Sequence, residues 1–365
     1  MTENGTLMFY INTLHRGGAQ RVMVQLAGRF AAAGWRSVLV TSFVGENEYP
    51  IPPGVERVSI EQKQLSQGVL RRNLSRIRAL RSLIRQYRPA ALISFMAEPN
   101  FRAVMAARGL PVKTIVSVRN DPSREYGGRL PGFVGRHVLL QADGCIFQTR
   151  QARDWFPESL QRRSAVIMNQ VSEAFYEEPP ATEHHGIAAV GRLNPQKNHA
   201  LLIQAYAALG HVEDPLIIYG EGELRPELEA LLRSLGLEGR VLLPGLSKDI
   251  PGDLKSAKLF VLSSDYEGMP NALLEAMALG LPCISTDCPC GGPAEVIQDG
   301  INGLLFPVGS EEALTQAMRA LLEDRERRTA MAVNARQTAE SFRPEPVFRQ
   351  WENYVKSVIA GKDCL

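Results

Sequence analysis

The chain has little of what would staple a small fold. Five cysteines in 365 residues, an odd number at irregular spacing, give no disulfide framework and suit a reducing compartment. No apolar run approaches the roughly 18 residues of a membrane-crossing helix. The opening MTENGTLMFYINTL has neither a basic n-region nor a small-residue cleavage site. No signal peptide is therefore expected, and the chain is expected in the cytoplasm. No G-x-x-x-x-G-K-[ST] occurs, so there is no P-loop, and no D-x-D occurs either. Internal repeats and low-complexity tracts are missing. A collagen, a solenoid, a porin and a disulfide-stapled secreted domain are excluded.

What remains is the composition of a globular protein, 45% hydrophobic and 22% charged. The length predicts two domains at roughly 100–200 residues each. A net charge of +2 hides an asymmetry. Residues 1–185 hold 24 Lys and Arg against 15 Asp and Glu, a net +9, while residues 186–365 hold 17 against 24, a net −7. A basic half suits an anionic partner such as phospholipid or phosphate. Equally, halves of opposite sign attract one another and help a cleft close. Nucleic acid is not expected as a partner.

Strand and helix patterns alternate along the chain. The first half reads as an apolar run Leu7–Leu14, two glycines and a helix through Ala33, a strand Ser37–Phe43, a helix Val69–Tyr87 and a strand Ala90–Phe95 stopped before Pro99. Short strands follow at Lys113–Val118, Cys145–Gln148 and Ala165–Met168. Ser172–His185, with two prolines, four glutamates and little apolar content, reads as a linker. The pattern then restarts with strands at Ile187–Val190, Pro215–Tyr219, Val241–Leu243, Leu259–Leu262 and Cys283–Thr286. Helices are expected to begin near Lys197, Leu224, Ala272 and Ser310, where a hydroxyl precedes Glu311 and Glu312. Such alternation predicts two α/β domains with parallel sheets, over residues 1–175 and 186–344. Ligands of open α/β sheets bind beyond the carboxyl ends of the strands, so the expected site is a cleft between the two.

Ser263–Gly280, SSDYEGMPNALLEAMALG, carries the most chemistry. Glu267 falls on a loop after a strand and Glu275 in the first turns of a helix, with Pro270 suited to its start. A helix-borne carboxylate can accept hydrogen bonds from vicinal hydroxyls. The N–H groups around Met269, Asn271 and Ala272 can hold a phosphate or sugar oxygen. Two glutamates eight apart can also be plain surface charge. In VGRLNPQKNH, Gly191 ends a strand, and Arg192 and Lys197 bracket a turn. Two such cations above a sheet edge can hold a diphosphate, or be solvated charge. In HRGGAQR, Gly17 and Gly18 let backbone approach a ligand at a helix N-terminus, a weak pattern alone. Cys288 and Cys290 lack the further ligands of a zinc site. Gly220-Glu-Gly222 holds Arg225 where a dinucleotide fingerprint needs its third glycine. His184 and His185 are expected to be exposed.

GGAQR, GRLNPQKNHALLIQAY, GEGELRPEL, EGMPNALLE and NGLLFPVGS occur in that order. Together they resemble the retaining GT-B-type glycosyltransferases of family four, the glycosyl transferases of group 1, over nearly the whole chain. KNHALLIQAYAAL is similar to bacterial transferases that extend lipid-linked saccharides with N-acetylgalactosamine. The resemblance implies two Rossmann-like domains facing across a cleft, with a C-terminal helix, residues 345–365, crossing back to the first domain. It implies that Arg192 and Lys197 neutralise a donor diphosphate and that Glu267 sits near the donor sugar. Glu275 would hold the nucleotide ribose, and Gly17 and Gly18 would lie under the diphosphate. No metal or other cofactor is implied. The implied reaction moves a sugar, an N-acetylhexosamine, from a UDP-sugar to a polyprenyl-diphosphate-linked saccharide or another glycan, in cell-surface polysaccharide or glycoprotein glycan assembly. A nucleotide-sugar epimerase, a sugar phosphorylase and a non-catalytic sugar-nucleotide scaffold are the alternatives. One departure stands out. Many family members carry a His after the fourth strand of the first domain, facing the donor sugar. Here that stretch is SVRNDPSRE, and Arg119, Asn120 and Asp121 are the polar candidates on the acceptor side, with His15 in the opposite loop.

The helix over 69–88 holds seven arginines and no acid. Arg78, Arg81, Arg85 and Arg88 share one sector, and Leu80, Leu83, Ile84 and Tyr87 the opposite one. Such a face can rest on the anionic inner-membrane surface, making the protein peripheral on its cytoplasmic side. It can also be a solvated outer helix face.

Overall fold

The computed structural model describes residues 5–15, 17–61, 68–128, 130–179, 181 and 183–361. The first four residues of the opening, Arg16 of the HRGGAQR turn, Pro180 and Thr182 of the expected linker, and Cys364 lie outside them. The chain divides into two compact units, Met1–Asn169 with Val347–Leu365, and Gln170–Pro346.

The first unit holds a seven-stranded parallel sheet. Its strands are β1 (Thr6–Ile11), β2 (Arg36–Phe43), β3 (Val55–Glu61), β4 (Ala91–Phe95), β5 (Lys113–Ser117), β6 (Gly144–Phe147) and β7 (Ser164–Val166). The spatial order is β3-β2-β1-β4-β5-β6-β7. The central strands are apolar on both sides because both faces are covered. Leu7, Phe9 and Ile11 meet the helix Gly18–Ala32 on one face, while Met8 and Tyr10 meet Leu80 and Ile84 of the helix Val69–Tyr87 on the other. The strand β3 was not expected. Its VERVSIE is half polar because it is an edge strand. Pro99 does not block a helix either: Ala97–Ala107 begins two residues before it, and proline is tolerated in a first turn.

The C-terminal helix Pro344–Ile359 completes this unit. Val347, Phe348, Trp351, Tyr354, Val355 and Val358 form one stripe in its core. Phe348 meets Phe30 at 5.0 Å. Tyr354 Oη donates to the Arg163 carbonyl at 2.6 Å and accepts from Cys145 N at 2.8 Å.

The second unit holds a six-stranded parallel sheet of β8 (Ile187–Val190), β9 (Leu216–Tyr219), β10 (Val241–Gly245), β11 (Leu259–Leu262), β12 (Cys283–Thr286) and β13 (Leu304–Phe306), in the order β10-β9-β8-β11-β12-β13. Three-residue β13 is too short to show a period, and it too was not expected. The stretch read as a linker is partly structured. Ala174–Glu177 is a helical turn whose Phe175 and Tyr176 are buried, with Tyr176 Oη donating to Ala339 O at 2.6 Å. His184 and His185 are exposed. Among the described residues no helix is long and apolar enough to cross a membrane.

Candidate functional site

Strand order reverses direction between β8 and β11 in the second unit. The loops leaving the carboxyl ends of these neighbours therefore flank a topological switch point, where open α/β sheets bind ligands. One loop is Gly191–Asn198 and the other Ser263–Pro270, so the tertiary fold brings together two segments singled out separately in the sequence.

Hydrogen bonds strap the two loops. Asp265 N donates to Gln196 O at 2.9 Å, and Ser263 Oγ to the carbonyls of Lys197 and Asn198 at 3.0 and 3.1 Å. Asn198 Nδ2 donates to Asp265 Oδ1 at 2.8 Å. Asn198 adopts the left-handed conformation, and its side-chain oxygen caps the helix His199–Ala208. The helix thus starts two residues after Lys197, which lies in the 3-10 turn Pro195–Lys197. Asparagine tolerates that conformation better than most residues.

Glu267 is 6% exposed, which rules out plain surface charge. Its Oε1 accepts from Lys197 Nζ at 2.5 Å and Ser264 Oγ at 2.7 Å, and its Oε2 from Gln196 Nε2 at 3.4 Å. The Lys197 stem passes over Gly191, where a Cβ would come within 3.1 Å of it. Arg192 is exposed and makes no side-chain hydrogen bond to the described residues. Of the two expected cations, one is therefore available and the other is shared with Glu267. Glu275 is equally buried, on the helix Asn271–Ala278. Asn271 and Ala272 form that helix's first turn and Met269 the buried approach to it. Pro270 is its N-cap residue rather than its first helical one.

Two glycine motifs brace these loops. A Cβ on Gly220 would sit 1.9 Å from Gly191 O, so GEG is a backbone buttress under the Arg192 loop. Leu193 N donates to Glu221 O, and Leu224 N to Leu193 O, both at 3.0 Å. A Cβ on Gly292 would sit 1.7 Å from Gly268 O. There the Cys288–Gly292 turn carries Glu267: Glu267 N donates to Pro289 O, and Cys290 N to Glu267 O, at 2.9 and 3.1 Å. The reading of the sequence left this role unassigned, although the CPCGGP composition marks a tight turn. His199 was also missed. It is 5% exposed beside Lys197, and burial, then Lys197, push its imidazole down to about 4. Among the described residues no three His, Cys, Asp or Glu are grouped to hold a metal ion.

The remaining candidates belong to the first unit. Gly17 is the N-cap and Gly18 the first residue of the helix Gly18–Ala32, whose first turn holds no acid. His15 is exposed and bridges to Glu48. Arg119, Asn120 and Asp121 follow β5. Asp121 is occupied: it caps the helix Pro122–Tyr126, with Oδ1 accepting from Ser123 N at 2.9 Å and Ser123 Oγ at 2.7 Å.

The arginine sector of Val69–Tyr87 is not four free cations. Arg78 and Arg85 are exposed, but Arg81 Nη1 donates to the carbonyls of Ala106 and Arg108, at 2.8 and 2.7 Å, closing the end of a neighbouring helix. Arg88, the left-handed residue after the helix, is exposed like Arg78 and Arg85. Arg76 is buried, with a two-pronged pair to Glu61 at 2.9 and 2.8 Å. Exposed on the same helix are Val69, Leu70 and Leu74.

Comparison with known proteins matches this division. Residues 17–169 match the glycosyl transferase 4-like domain, and residues 170–338 match the glycosyl transferases group 1 domain. A Streptomyces coelicolor exopolysaccharide phosphotransferase is 32% identical over 71% of this chain, which spans 28% of that protein's length. A Campylobacter jejuni protein named as an alpha-1,4-N-acetyl-D-galactosaminyltransferase for a diphospho-undecaprenol-linked saccharide is 26% identical over 96% of this chain and 98% of its own. The structure of Anabaena HepE with UDP and glucose superposes with a TM-score of 0.82, covering 96% of this chain and 99% of that one at 18% identity, which establishes the GT-B architecture.

Proposed function

This chain belongs to the glycosyl transferases of group 1, and from that premise we propose that it transfers an N-acetylhexosamine, with retention, from a UDP-sugar to a polyprenyl-diphosphate-linked saccharide. The observation that carries this reading is the strapped pair of loops at the β8/β11 switch point. Exposed Arg192, shared Lys197 and buried Glu267 lie on these loops, and buried Glu275 lies on the helix that follows the second of them. The departing nucleotide carries its charge on the diphosphate. Arg192, Lys197 and the N-terminal end of the helix Asn271–Ala278 are the positive groups suited to meet it. Glu267 then gives up part of its hold on Lys197, and its carboxylate is left to the sugar. Buried Glu275 is suited to the ribose hydroxyls.

The full-length similarity to the Campylobacter jejuni transferase supports a lipid-linked acceptor and an N-acetylhexosamine donor. Contact with an anionic membrane surface follows from such an acceptor, and Arg78 and Arg85 beside exposed Leu70 and Leu74 suit it. The acidic pair of the site loop is already engaged, Asp265 by Asn198 and Glu267 by Lys197, so turnover is expected to survive EDTA. A thermal-shift panel of nucleotides and nucleotide sugars tests the donor, because a ligand of the native state raises its melting temperature. Transfer to a polyprenyl-diphosphate saccharide tests the acceptor. A shift with UDP-N-acetylhexosamines and retained anomeric configuration in the product are expected. Binding without turnover of any nucleotide sugar would sink the transferase reading in favour of a scaffold.

A further inference from the structure

Glu267 is held by more than the ammonium of Lys197. Its Oε1 takes two donors, Lys197 Nζ at 2.5 Å and Ser264 Oγ at 2.7 Å, whereas Oε2 takes only Gln196 Nε2 at 3.4 Å. A carboxylate has about four acceptor sites, shared between its two oxygens. Oε1 is therefore filled, and Oε2 keeps room for a further donor. Ser264 is fully buried just after β11, and its hydroxyl proton goes to Glu267. Its own carbonyl is held in turn. Thr286 Oγ1, fully buried at the end of neighbouring β12, donates to Ser264 O at 2.6 Å. Gln196 is fixed as well, by a bond from Nε2 to Tyr266 O at 2.9 Å.

We propose that Ser264, backed by Thr286, is a positioning residue that keeps Glu267 turned with Oε2 towards the donor sugar. The reason lies in the part that Lys197 has to play. On the transferase reading, on which this role rests, the ammonium is drawn to the departing diphosphate. A cation shared in this way cannot orient the carboxylate at the moment when the carboxylate is used. The terminal torsion of a glutamate is broad and nearly symmetric, so a carboxylate with no fixed donor exchanges its two oxygens. A neutral hydroxyl anchored through the next strand stays behind. It also gives the buried charge a hydrogen bond to an ionised acceptor, which is roughly twice as strong as a neutral one. Gln196 steadies the other oxygen through a longer contact. The sequence hides this role, because Ser263 and Ser264 are adjacent and identical. Ser263 Oγ faces the Lys197 and Asn198 carbonyls and straps the loops, while Ser264 Oγ faces Glu267.

The test compares the full chain as wild type, Ser264→Ala, Thr286→Val and Thr286→Ser. UDP release from a UDP-N-acetylhexosamine, in the presence of a polyprenyl-diphosphate saccharide, gives kcat and KM. The UDP-induced melting shift is the control. Ser264→Ala should lower kcat by about tenfold or more, the loss of one hydrogen bond to a charged group. KM for the nucleotide sugar should stay within about twofold, and the UDP shift should not move. Thr286→Val should lower kcat in the same way by less. Thr286→Ser keeps the hydroxyl and should retain the wild-type value. Near-wild-type kcat in Ser264→Ala, a loss carried by KM alone, or a UDP shift abolished by the substitution overturns the role. Equal losses in Thr286→Val and Thr286→Ser also overturn it, since Thr286 would then act by packing. A wild type that binds UDP and turns over no nucleotide sugar overturns the transferase reading and this role with it. An active wild type with an equally active Ser264→Ala overturns the role alone.

Discussion

Lys197 Nζ lies 2.5 Å from Glu267 Oε1, joining loops whose residues are 70 positions apart in the chain. Both groups are largely buried, so the contact is a strut of the site as well as a charge pair. On the proposed reading a donor diphosphate would compete with Glu267 for the ammonium, which would link donor binding to the stability of the loop pair.

Arg192 and Lys197 should consequently separate on mutation. Arg192→Ala removes an exposed cation and should lower kcat/KM by about 2–4 kcal/mol of transition-state stabilisation without moving the melting temperature. Lys197→Ala should do the same to the rate and also destabilise the second unit by about 3 kcal/mol, because Glu267 stays buried without its partner. Calorimetry beside initial rates checks this. Equal melting of the two variants contradicts the strut.

Gly220→Ala tests the buttress. Its Cβ would lie 1.9 Å from Gly191 O, a backbone atom that cannot swing aside. A loss of about 3 kcal/mol is expected, with weakened UDP-sugar binding as the Arg192 loop shifts. Denaturant unfolding and the thermal-shift panel read the two effects.

His199 makes a pH prediction. Its pKa is about 4 in the folded chain against an ordinary 6.5. Between these values the unfolded chain binds the proton and the folded chain does not. The stability linked to His199 is fully present above about 6.5 and is lost as pH falls towards 4, by up to about 3 kcal/mol. His199→Phe keeps a ring and removes the titration. Its stability relative to wild type should rise steadily over that window, as followed by urea unfolding. A constant difference would show that the imidazole does not titrate there.

Membrane contact should depend on some of the expected arginines and not others. Each cation at an anionic surface is worth about 1 kcal/mol, less at high salt. Replacing exposed Arg78 and Arg85 by Gln should weaken co-sedimentation with anionic vesicles about 30-fold. Arg81→Gln should lower the melting temperature instead, since that guanidinium closes a neighbouring helix. Unchanged sedimentation of the Arg78/Arg85 double mutant would make the basic face a solvated helix surface.

Much of this was legible along the chain. Continuous apolar strands, Ser310 before two glutamates, and an arginine-rich amphipathic helix are local patterns, and local patterns are set by the backbone's two periods and by capping chemistry. They located most strands to within a residue or two and identified Arg192, Lys197, Glu267 and Glu275 as the residues to watch. The motif order identified the family. Partnership was not legible. Nothing near Arg76 announces Glu61, and nothing in CPCGG announces Glu267.

Only the tertiary structure separated Arg192, which stays exposed, from Lys197, which is held. It also distinguished Asp121, consumed by a helix cap, from Glu125, left with an unpaired oxygen. The physical reason is the same in each case. A side chain's charge and hydrogen-bonding capacity are written in its identity. Whether that capacity is already spent depends on which distant segment the sheet order sets beside it, and on how much water that packing removes.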